Sequence, residues 1–393
     1  MSKPSSILLF TDWYWPAQKA GGPVQSTQNM VKLLQKHYHI SIVCRATDWG
    51  DQTIMPNIMP DQWQVHSDAI KILYLSPQKT KLKNIKQIIK EEKPNILYIN
   101  GIFSFYFSVL PLFFSKVFNL PKTYVAVRGM LHASALSVKP LKKQLFLSFA
   151  RGFGLFQDNQ TAIQSFSQRY QSSIQLLASN AIEKKAIQSA LGSKINIKVL
   201  GNVPIPPEHC PQHSIQKTVG SLKLIFVGRI APEKNPLTLL KALQKLDQPI
   251  AITWVGSAID QAYYNSFLAE IKALPKQVQS KHIPTLEHDQ LMACIAEHHV
   301  MVLPSLGENF GHAIYEALAC SRPVIIGNNT AWPESEFIRI CDPESVEALT
   351  QLIQEAASLD QAAFDHLSIA SKQFALSWYT DQNFDKAYFD AFS

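Results

Sequence analysis

Short runs of β-branched and aromatic residues alternate with stretches of helical periodicity along this chain, and the alternation occurs twice. The predicted strands of the first series are Ile7–Thr11, Ile40–Cys44, Ile70–Leu75, Ile96–Asn100, Thr123–Val127 and Ile174–Leu177. Those of the second series are Leu222–Val227, Ile250–Val255, His298–Pro304 and Pro323–Ile326, and the helical patterns between strands include Leu82–Glu92 and His312–Ala319. Such alternation is typical of βαβ units, whose strands form a parallel sheet. A chain of 393 residues also exceeds the length of one compact core. The sequence therefore predicts an α/β protein with two Rossmann-like halves.

A break separates the two series. Gly201 to Pro207 is rich in proline, and Glu208 to Gly220 is polar without a periodic pattern, as expected of a linker. At the far end, Gln373 to Ser393 is rich in aromatic residues and is predicted to be a helix that packs through them. The predicted domains are residues 1–203 on the acceptor side, residues 204–376 on the donor side, and a C-terminal helix, 377–393, that packs back on the first domain.

The net charge and the cysteine content indicate which ligands and partners we expect the chain to bind. The net charge of +7 is compatible with anionic partners such as phosphates or an acidic membrane face, and equally with an ordinary solvated surface. We expect no nucleic-acid partner. The five cysteines are scattered and form no CxxC pair, so we expect reduced thiols rather than a zinc site or disulfides.

No signal peptide is evident, and one uncharged stretch raises the question of a membrane span. Pro94 to Ser115 is interrupted by Asn100, Gly101 and Pro111, whereas a spanning helix needs about 20 continuous apolar residues. We predict a buried strand, a turn and a short helix there. The chain is accordingly expected to be cytoplasmic.

The segment from Glu308 to Glu316 follows the apolar run Val300–Leu303 and precedes a helical pattern. A strand that passes through a glycine-containing turn into a helix leaves free amides at the helix N-terminus, where a phosphate or a sugar oxygen binds. Glu308 in the loop and Glu316 in the helix can accept hydrogen bonds from sugar hydroxyls. Spacing alone leaves open the alternative that Glu308 caps the helix and Glu316 is solvated.

A second candidate follows the run Leu222–Val227. Gly228 ends this predicted strand, and two cations, Arg229 and Lys234, lie in the loop after it. An arginine clamp and a lysine point charge together can neutralise a diphosphate leaving group. Taken alone, two surface cations are the simpler interpretation.

A glycine pair, Gly21 and Gly22, follows the first predicted strand and lets the backbone approach a ligand closely. It is neither a GxGxxG motif nor a P-loop, which disfavours a nicotinamide dehydrogenase. The histidines of the second half are irregularly spaced without a carboxylate cluster, so we expect no metal site among them; they are His282, His288, His298 and His299.

Together these motifs resemble the GT-B glycosyltransferases of family 4. The specific part is Gly-Arg-x4-Lys from Gly228 to Lys234, followed by Glu-x7-Glu from Glu308 to Glu316. The glycine pair, Asn202 at the linker and the aromatic tail extend the resemblance over nearly the whole chain. The resemblance implies a GT-B fold of two Rossmann-like domains with a central cleft and a C-terminal crossover helix. It also implies retaining transfer from a nucleotide-diphosphate sugar as co-substrate, with no required metal or other cofactor.

The resemblance also implies roles for individual residues. Arg229 and Lys234 would bind the diphosphate, Glu316 would hold the donor ribose, and Glu308 would contact the donor sugar. The other candidates for donor binding are Gly22, Gly228, Ile283, Asn309, Phe310, Gly311 and His312. Ile283 lies in the stretch 282–285, where we expect base and sugar specificity to be set.

One position departs from the family pattern. Many members carry a histidine after a first-domain strand, where it contacts the donor sugar. Here the matching place reads Val127-Arg128-Gly129-Met130, and the nearest histidine, His132, lies beyond the strand. This form resembles a surface-polysaccharide branch of the family. We therefore predict that Arg128 replaces the histidine as a catalytic contact to a phosphate or sugar oxygen.

The resulting prediction is a hexosyltransferase-type enzyme. It would move a sugar to a glycan or a polyprenyl-diphosphate-linked acceptor in the synthesis of O-antigen, capsule or exopolysaccharide. Two alternatives remain: a sugar-nucleotide epimerase of GT-B shape, with Asp12 as its candidate carboxylate, and a catalytically silent sugar-nucleotide-binding module.

An apolar and basic region raises the question of a membrane partner. Phe103–Phe107 and Leu110–Phe118 are strongly apolar, and the helical pattern Leu141–Phe149 is flanked by cations. The flanking cations are Lys139, Lys142, Lys143 and Arg151. Such a helix can lie on an anionic surface, which would make the protein peripheral on the inner face of the plasma membrane. The alternative is a core helix with a solvated basic face.

Overall fold

The computed structural model describes residues 5–132, 135–136, 140–152, 154–156 and 173–393. The chain divides into two compact units. The first unit is Met1–Val203 together with Phe384–Ser393, and the second is Pro204–Asn383. Among the described residues, no helix is both long enough and apolar enough to cross a membrane.

The first unit is built on an eight-stranded sheet in the order β3-β4-β2-β1-β5-β6-β7-β8. All neighbouring pairs are parallel except β3 and β4, which are antiparallel. The strands are β1 (Ser6–Thr11), β2 (His39–Arg45), β3 (Trp63–Ser67), β4 (Ile70–Leu75), β5 (Ile96–Asn100), β6 (Lys122–Ala126), β7 (Ser173–Ala178) and β8 (Ile197–Val199).

Helices cover the faces of this sheet, as parallel strands require. They are α1 (Gly22–Leu34), α2 (Leu82–Glu92), α3 (Leu110–Val117), α4 (Pro140–Gly152) and α5 (Ala181–Leu191), with a π-helical turn at Phe105–Val109. The uncharged stretch from Pro94 to Ser115 is thus a buried strand, a turn and the start of a short helix, as the sequence predicts. Lys139, one of the predicted basic residues, lies outside the described residues.

The second unit contains a six-stranded sheet, entirely parallel, in the order β11-β10-β9-β12-β13-β14. Its strands are β9 (Leu222–Val227), β10 (Ile250–Val255), β11 (Val278–Ile283), β12 (Val300–Leu303), β13 (Val324–Gly327) and β14 (Ile338–Cys341). Its helices are α6 (Pro236–Leu243), α7 (Gln261–Lys272), α8 (His288–Ala296), α9 (His312–Ala319), α10 (Val346–Ser358) and α11 (Gln361–Gln382). Helix α12 (Phe384–Phe392) belongs to the first unit.

Four strands are absent from the sequence prediction, and all four lie towards the edges of their sheets. They are β3, β8, β11 and β14. Their side chains are only partly buried, and polar residues interrupt each run, as in Val-Gln-Ser-Lys-His-Ile of β11. A central strand is a continuous apolar run because both of its faces are covered. An edge strand lacks that signal.

The aromatic tail forms two helices where the sequence suggests one. Helix α11 ends at Asn383, which adopts a left-handed conformation with φ of 41°, and α12 begins at the next residue. Asparagine tolerates this conformation and is common at helix ends. Residues 377–383 therefore belong to a helix of the second unit. Phe392 of α12 packs in the first unit against Tyr98 and Tyr124.

Three buried cations of the second unit donate hydrogen bonds to backbone carbonyls. Lys372 Nζ donates to Ala319 O at the end of α9, at 2.9 Å, and to Pro207 O. Lys217 Nζ donates to Ala357 O in the last turn of α10, and Arg322 Nη2 donates to Ala296 O at the end of α8. Positive charge at a helix C-terminus is favoured by the helix dipole. These side chains fix where the helices end.

Candidate active site

The carboxyl ends of β9 and β12 form the topological switch point of the second sheet. The chain leaves β9 towards β10 and β11 on one side, and it returns to the other side of β9 as β12. In open α/β sheets, ligands bind in the crevice outside the carboxyl ends of the strands at such a point. The loop after β9 contains Gly228, Arg229 and Lys234, and the loop after β12 contains Glu308. The structure therefore brings both sequence motifs of this unit to one edge.

A lysine and a glutamate from the two loops form an ion pair at this edge. Lys234 Nζ lies 2.5 Å from Glu308 Oε1, and only 19% and 10% of their side-chain surfaces are exposed. Ser305 Oγ donates to the same carboxylate oxygen at 2.6 Å. The lysine stem packs against Gly228, where a Cβ would lie 3.5 Å from Lys234 Cγ, an ordinary van der Waals distance. The carboxylate thus holds the ammonium in a fixed place.

Arg229 is the more exposed of the two predicted cations. Its Nη2 lies 2.7 Å from Glu233 Oε1, and 38% of each side chain is exposed. An exposed ion pair is weak, about 0–1 kcal/mol, so the guanidinium can exchange this partner for a ligand at little cost. The edge therefore holds one fixed cation and one cation that can move.

Helix α9 directs its N-terminus to the same edge. Its N-cap is Gly311, with φ of 75° and no side-chain cap. A Cβ at Gly311 would lie 2.7 Å from Ile314 Cδ1, the end of a side chain that can shift, so the turn favours glycine mainly for its backbone conformation. A helix N-terminus suits an anion or a polar oxygen. In α9, Ile314 N donates to Gly311 O at 2.9 Å. Asn309 and Phe310 lie half-buried just before the cap.

Glu316 lies one turn further into α9 and is buried, with 7% of its side chain exposed. His288 Nε2, from the first residue of α8, lies 3.1 Å from Glu316 Oε1. The interpretation of Glu316 as a solvated helix residue is therefore wrong. The carboxylate is held in one orientation by a neighbouring helix.

Two glycines that the motifs do not include position these loops. A Cβ at Gly256, after β10, would lie 2.0 Å from the carbonyl oxygen of Gly228. A Cβ at Gly327, the last residue of β13, would lie 2.3 Å from the carbonyl oxygen of Ser305. Each loop therefore packs directly on the backbone of a neighbouring strand. A glycine immediately after an apolar run is the only sequence signal of this packing.

Backbone hydrogen bonds join the loops to one another. Leu306 N donates to Glu233 O at 3.0 Å, and Glu308 N donates to Asn329 O at 2.9 Å. Asn235 Nδ2 reaches Pro343 O after β14, at 2.6 Å. The loops that follow four strands thus form one connected surface, which keeps the site geometry without a ligand.

Ile283, the predicted specificity residue, is the half-buried last residue of β11 rather than a loop residue. Its carbonyl accepts from Gly256 N at 3.0 Å, which places it at the same carboxyl edge, beyond β10. The neighbouring His282 ring lies between Tyr264 OH at 3.0 Å and Gly256 O at 2.9 Å. Both residues therefore support the backbone at the end of β10.

Gly22 and Arg128 lie in the first unit, apart from the second-unit cluster. Gly22 is the first residue of α1, and the left-handed conformation belongs to Gly21, with φ of 67°. No side chain caps this helix. A Cβ at Gly21 would meet no atom within 4 Å, so glycine suits this position because of its backbone conformation and not because a neighbouring atom needs the space.

Arg128 follows β6 in a left-handed conformation, with φ of 57°, and its guanidinium is directed at protein acceptors. Nε donates to Asn100 Oδ1 at 2.7 Å, and Nη2 donates to Tyr98 OH at 3.1 Å. Nη1 donates to Asn202 Oδ1 in a very short hydrogen bond and lies 3.4 Å from Ser26 Oγ. Arg128 thus ties β5 and α1 to the segment that precedes the second unit, and most of its donors are engaged.

Aromatic and charged side chains gather at the carboxyl edge of the first sheet. Arg45 donates through Nε and Nη2 to Asp12 Oδ1, at 2.8 and 2.7 Å, and Ser104 Oγ donates to the same atom at 2.8 Å. The Arg45 guanidinium lies 5.9 Å from the ring centre of Trp13, which packs against Trp49 at 5.9 Å. The Trp13 indole nitrogen is buried, and the described residues give it no hydrogen-bond partner.

Residues 212–367 match the sequence model of the family described as Glycosyl transferases group 1. The match lies within the second unit and includes every second-unit site residue described above.

Curated relatives match this chain over segments of about the same length as the family-model match. The D-inositol 3-phosphate glycosyltransferase of Xylanimonas cellulosilytica is 27% identical over 31% of this chain and 30% of its own length. The O-antigen chain mannosyltransferase B of Escherichia coli is 24% identical over 35% of this chain and 37% of its own length. The chain thus matches about a third of the length of these relatives.

Solved structures match nearly the whole chain in fold. Sucrose-phosphate synthase from Thermosynechococcus elongatus has a TM-score of 0.74 at 14% identity and covers 99% of this chain and 98% of its own. The Anabaena protein HepE, solved with UDP and glucose, has a TM-score of 0.72 at 15% identity over 98% and 99% of the two chains. WaaG, described as a glycosyltransferase of lipopolysaccharide biosynthesis, has a TM-score of 0.61 at 12% identity over 98% of each chain.

Proposed function

We propose that this chain is a GT-B glycosyltransferase that transfers a hexosyl group from a nucleotide-diphosphate sugar to a glycan acceptor, with retention of anomeric configuration. The observation that carries the proposal is the Lys234–Glu308 pair, which lies at the switch point of the second sheet, beside the N-terminus of α9. A donor with a diphosphate, a ribose and a sugar needs cations, a helix N-terminus and carboxylates in one place, and this edge provides all three.

The donor roles follow from charge and position. Lys234 and Arg229 neutralise the diphosphate, and the amides from Asn309 to His312 add partial positive charge beside it. Glu316, buried and oriented by His288, accepts from the ribose hydroxyls. Glu308 contacts the donor sugar and keeps the Lys234 ammonium in place. Gly228 and Ile283 provide backbone at the rim of this site.

Catalysis is then mainly electrostatic. As the glycosidic bond breaks, the sugar gains oxocarbenium character and the leaving diphosphate gains negative charge. Fixed cations and amides stabilise that charge without reorganisation at the moment of reaction. In this proposal, the leaving phosphate accepts the proton of the attacking acceptor hydroxyl, which accounts for retention without a protein nucleophile. No metal ion is required.

For the acceptor, we propose a glycan, free or polyprenyl-diphosphate-linked, in the synthesis of a surface polysaccharide. The likeness to the O-antigen mannosyltransferase of Escherichia coli supports this class. The first unit offers a suitable surface, since Trp13 and Trp49 provide ring faces and Arg45 provides a cation for a phosphate. In this proposal, Gly22 and Arg128 act from the first unit, Arg128 through the backbone that it holds in place.

The contacts of the first-unit carboxylates favour transfer over epimerisation. An epimerase needs an acid–base carboxylate that is available to its substrate. Asp12, the candidate for that role, accepts three hydrogen bonds on one oxygen, two of them from Arg45. An arginine that donates two hydrogen bonds to a carboxylate oxygen restricts the movement of that carboxylate. Asp12 is therefore better suited to hold Arg45 than to move a proton.

A panel of nucleotide sugars tests the donor site. Binding to the folded state raises the melting temperature by mass action, so UDP- and GDP-sugars are scored by thermal shift. We expect Lys234→Ala and Glu316→Ala to abolish the shift given by the best donor, and exposed Lys272→Ala to leave it unchanged. A wild-type shift in both site variants, with normal turnover, would refute the assignment.

A second experiment separates the acceptor from the donor. We expect Trp49→Ala to raise the KM for acceptor at least about tenfold, since an aromatic face contributes about 0.5–1.5 kcal/mol or more beyond its area. Its donor-induced thermal shift should stay unchanged. If Trp49→Ala lost both the donor-induced thermal shift and its affinity for acceptor, Trp49 would not belong to a surface that serves the acceptor alone.

A further inference from the structure

We propose that Trp332 is a positioning residue for the donor diphosphate. Its indole holds the peptide between Phe310 and Gly311 in the orientation that presents the Gly311 N–H to the terminal phosphate. The inference rests on the proposed function for the identity of the ligand. The orientation of the peptide itself stands on the contacts between the loops after β12 and β13.

The loop after β13 binds the backbone of the donor-site loop at every second residue. Asn329 Nδ2 donates to Leu306 O at 3.1 Å, and Asn329 O accepts from Glu308 N at 2.9 Å. Trp332 Nε1 donates to Phe310 O at 2.5 Å. The segment 329–332 therefore follows the donor-site loop along its length, although it lies outside the sequence motifs.

The hydrogen bond from Trp332 fixes the direction of the next amide. The peptide between Phe310 and Gly311 is trans and planar, so its C=O and its N–H point in opposite directions. The Phe310 carbonyl points to the indole nitrogen of Trp332. The Gly311 N–H consequently points away from Trp332.

A glycine at position 311 makes this restraint important. Glycine populates positive and negative φ about equally, so the peptide that precedes it can rotate at little cost. Gly311 O accepts from Ile314 N at 2.9 Å, but this bond fixes the peptide that follows Gly311. The Trp332 indole therefore selects one of the orientations that glycine allows for the preceding peptide.

The Trp332 indole is itself fixed by packing. Only 5% of the residue is exposed. Its ring centre lies 5.3 Å from that of Trp378, 5.4 Å from that of Phe310 and 6.1 Å from that of Phe374. Aromatic pairs at such separations attract one another, and a buried indole N–H usually finds an acceptor. A side chain locked by packing can hold a site in its productive geometry.

The chemistry of the donor indicates what an amide in fixed orientation would bind. The terminal phosphate gains negative charge as the glycosidic bond breaks, and a preorganised N–H stabilises that charge without reorganisation. A free nucleoside diphosphate carries similar charge on its terminal phosphate, whereas a nucleoside monophosphate lacks that group. Trp332 should therefore affect the preference for diphosphate over monophosphate, and should affect kcat more than the KM for donor.

Two substitutions separate the hydrogen bond of Trp332 from its packing. Trp332→Phe keeps a buried ring and removes the N–H. Trp332→His loses the larger ring, but its Nε2 can take the place of the indole nitrogen and donate. We expect Trp332→Phe to have the higher melting temperature and Trp332→His to have the higher kcat.

Isothermal titration calorimetry of the full chain with UDP, UMP, GDP and GMP measures the preference directly. For the base that the wild type prefers, Trp332→Phe should weaken diphosphate binding about tenfold or more, since a hydrogen bond to a charged group is lost. Monophosphate binding should change less than about twofold, because that ligand does not reach the amide. In turnover assays, kcat should fall about ten- to a hundredfold.

Phe374→Leu is the matched control. It removes an aromatic ring that packs on Trp332 and leaves the hydrogen bond to Phe310 in place. We expect a lower melting temperature with the wild-type preference for diphosphate and nearly wild-type kcat. This comparison with Trp332→Phe decides the question even if Trp332→His does not fold.

Three outcomes would overturn the proposal. One is an equal preference for diphosphate in the wild type and in Trp332→Phe, which removes the role of Trp332 and leaves the donor site intact. Another is a greater loss of that preference in Trp332→His than in Trp332→Phe, since packing would then explain both variants. The third is a wild type that binds none of the four nucleotides, which removes the donor assignment itself.

Discussion

Gly256 offers a sharp test of how the donor-site loops are positioned. Its φ is 149°, and a Cβ added there would lie 2.0 Å from Gly228 O and 2.6 Å from Gly228 C. A nonbonded carbon and oxygen approach to about 3.3 Å, so Gly256→Ala requires a relative displacement of about 1.3 Å. The displaced segment is the one that begins the loop of Arg229 and Lys234. The variant therefore perturbs the site without touching a site side chain.

The expected magnitude has two parts. The backbone conformation costs about 1–3 kcal/mol for a residue with a side chain. Overpacking against the Gly228 carbonyl adds about 1–3 kcal/mol. Gly220→Ala is the matched control, since Gly220 has φ of 82° in the same unit, and a Cβ there meets no atom within 4 Å. It should show only the conformational part.

Thermal unfolding and donor turnover provide the assays. For a unit of this size, each kcal/mol lowers the melting temperature by about 2–4 °C. G256A should therefore melt several degrees below G220A. A shift of about 1 Å in a positioned group can reduce turnover about a hundredfold, so G256A should lose activity while G220A retains it. Equal melting temperatures and equal turnover in the two variants would refute the packing argument.

Three further variants test other parts of the structure. Burial lowers the pKa of His299 to about 4, while its Nδ1 accepts from a backbone N–H at 2.9 Å. The folded-state pKa of His299 lies below its ordinary value, so the neutral ring contributes its full stability above about pH 6.5. That contribution, up to about 3 kcal/mol, is lost as the pH falls towards 4. In urea unfolding, H299N should therefore make the free energy of unfolding less dependent on pH. Lys372→Met should cost about 2–4 kcal/mol in the same assay, because two buried carbonyls lose their donor, whereas Lys272→Met on the surface should be neutral. Arg128→Lys should destabilise the first unit by about 1–3 kcal/mol, since one ammonium cannot replace a fork bonded to Asn100, Asn202 and Tyr98 at once. If R128K lost turnover with its unfolding unchanged, direct contact with the donor would be the better account.

Much of the fold follows from periodicity. The strands β4, β5, β9 and β10 have the predicted bounds, because strands with both faces covered are predominantly apolar. The helices α2 and α9 also have the predicted bounds. The strands β3, β8, β11 and β14 escape prediction because partial burial leaves polar residues in them.

The candidate site likewise has features that the sequence predicts and features that only the structure shows. The sequence alone indicated the candidate residues for the proposed chemistry, because cations, carboxylates and a glycine turn are chemical types that spacing makes visible. It also determined the second-unit motifs from Gly228 to Lys234 and from Glu308 to Glu316. The sequence could not show that Lys234 pairs with Glu308 or that Glu316 is buried against His288. It also could not show that Gly256 packs directly against the Gly228 carbonyl.

Those contacts were decided only by the tertiary structure, for a physical reason. Each joins residues far apart in the chain, and strand order brings them together at one edge of the sheet. The same holds for Arg128, whose residue type suggested a ligand contact, while folding directed its donors to Asn100, Tyr98 and Asn202. It holds also for α4, where the residue pattern left core and surface open, and packing buried Leu147 and exposed Leu141.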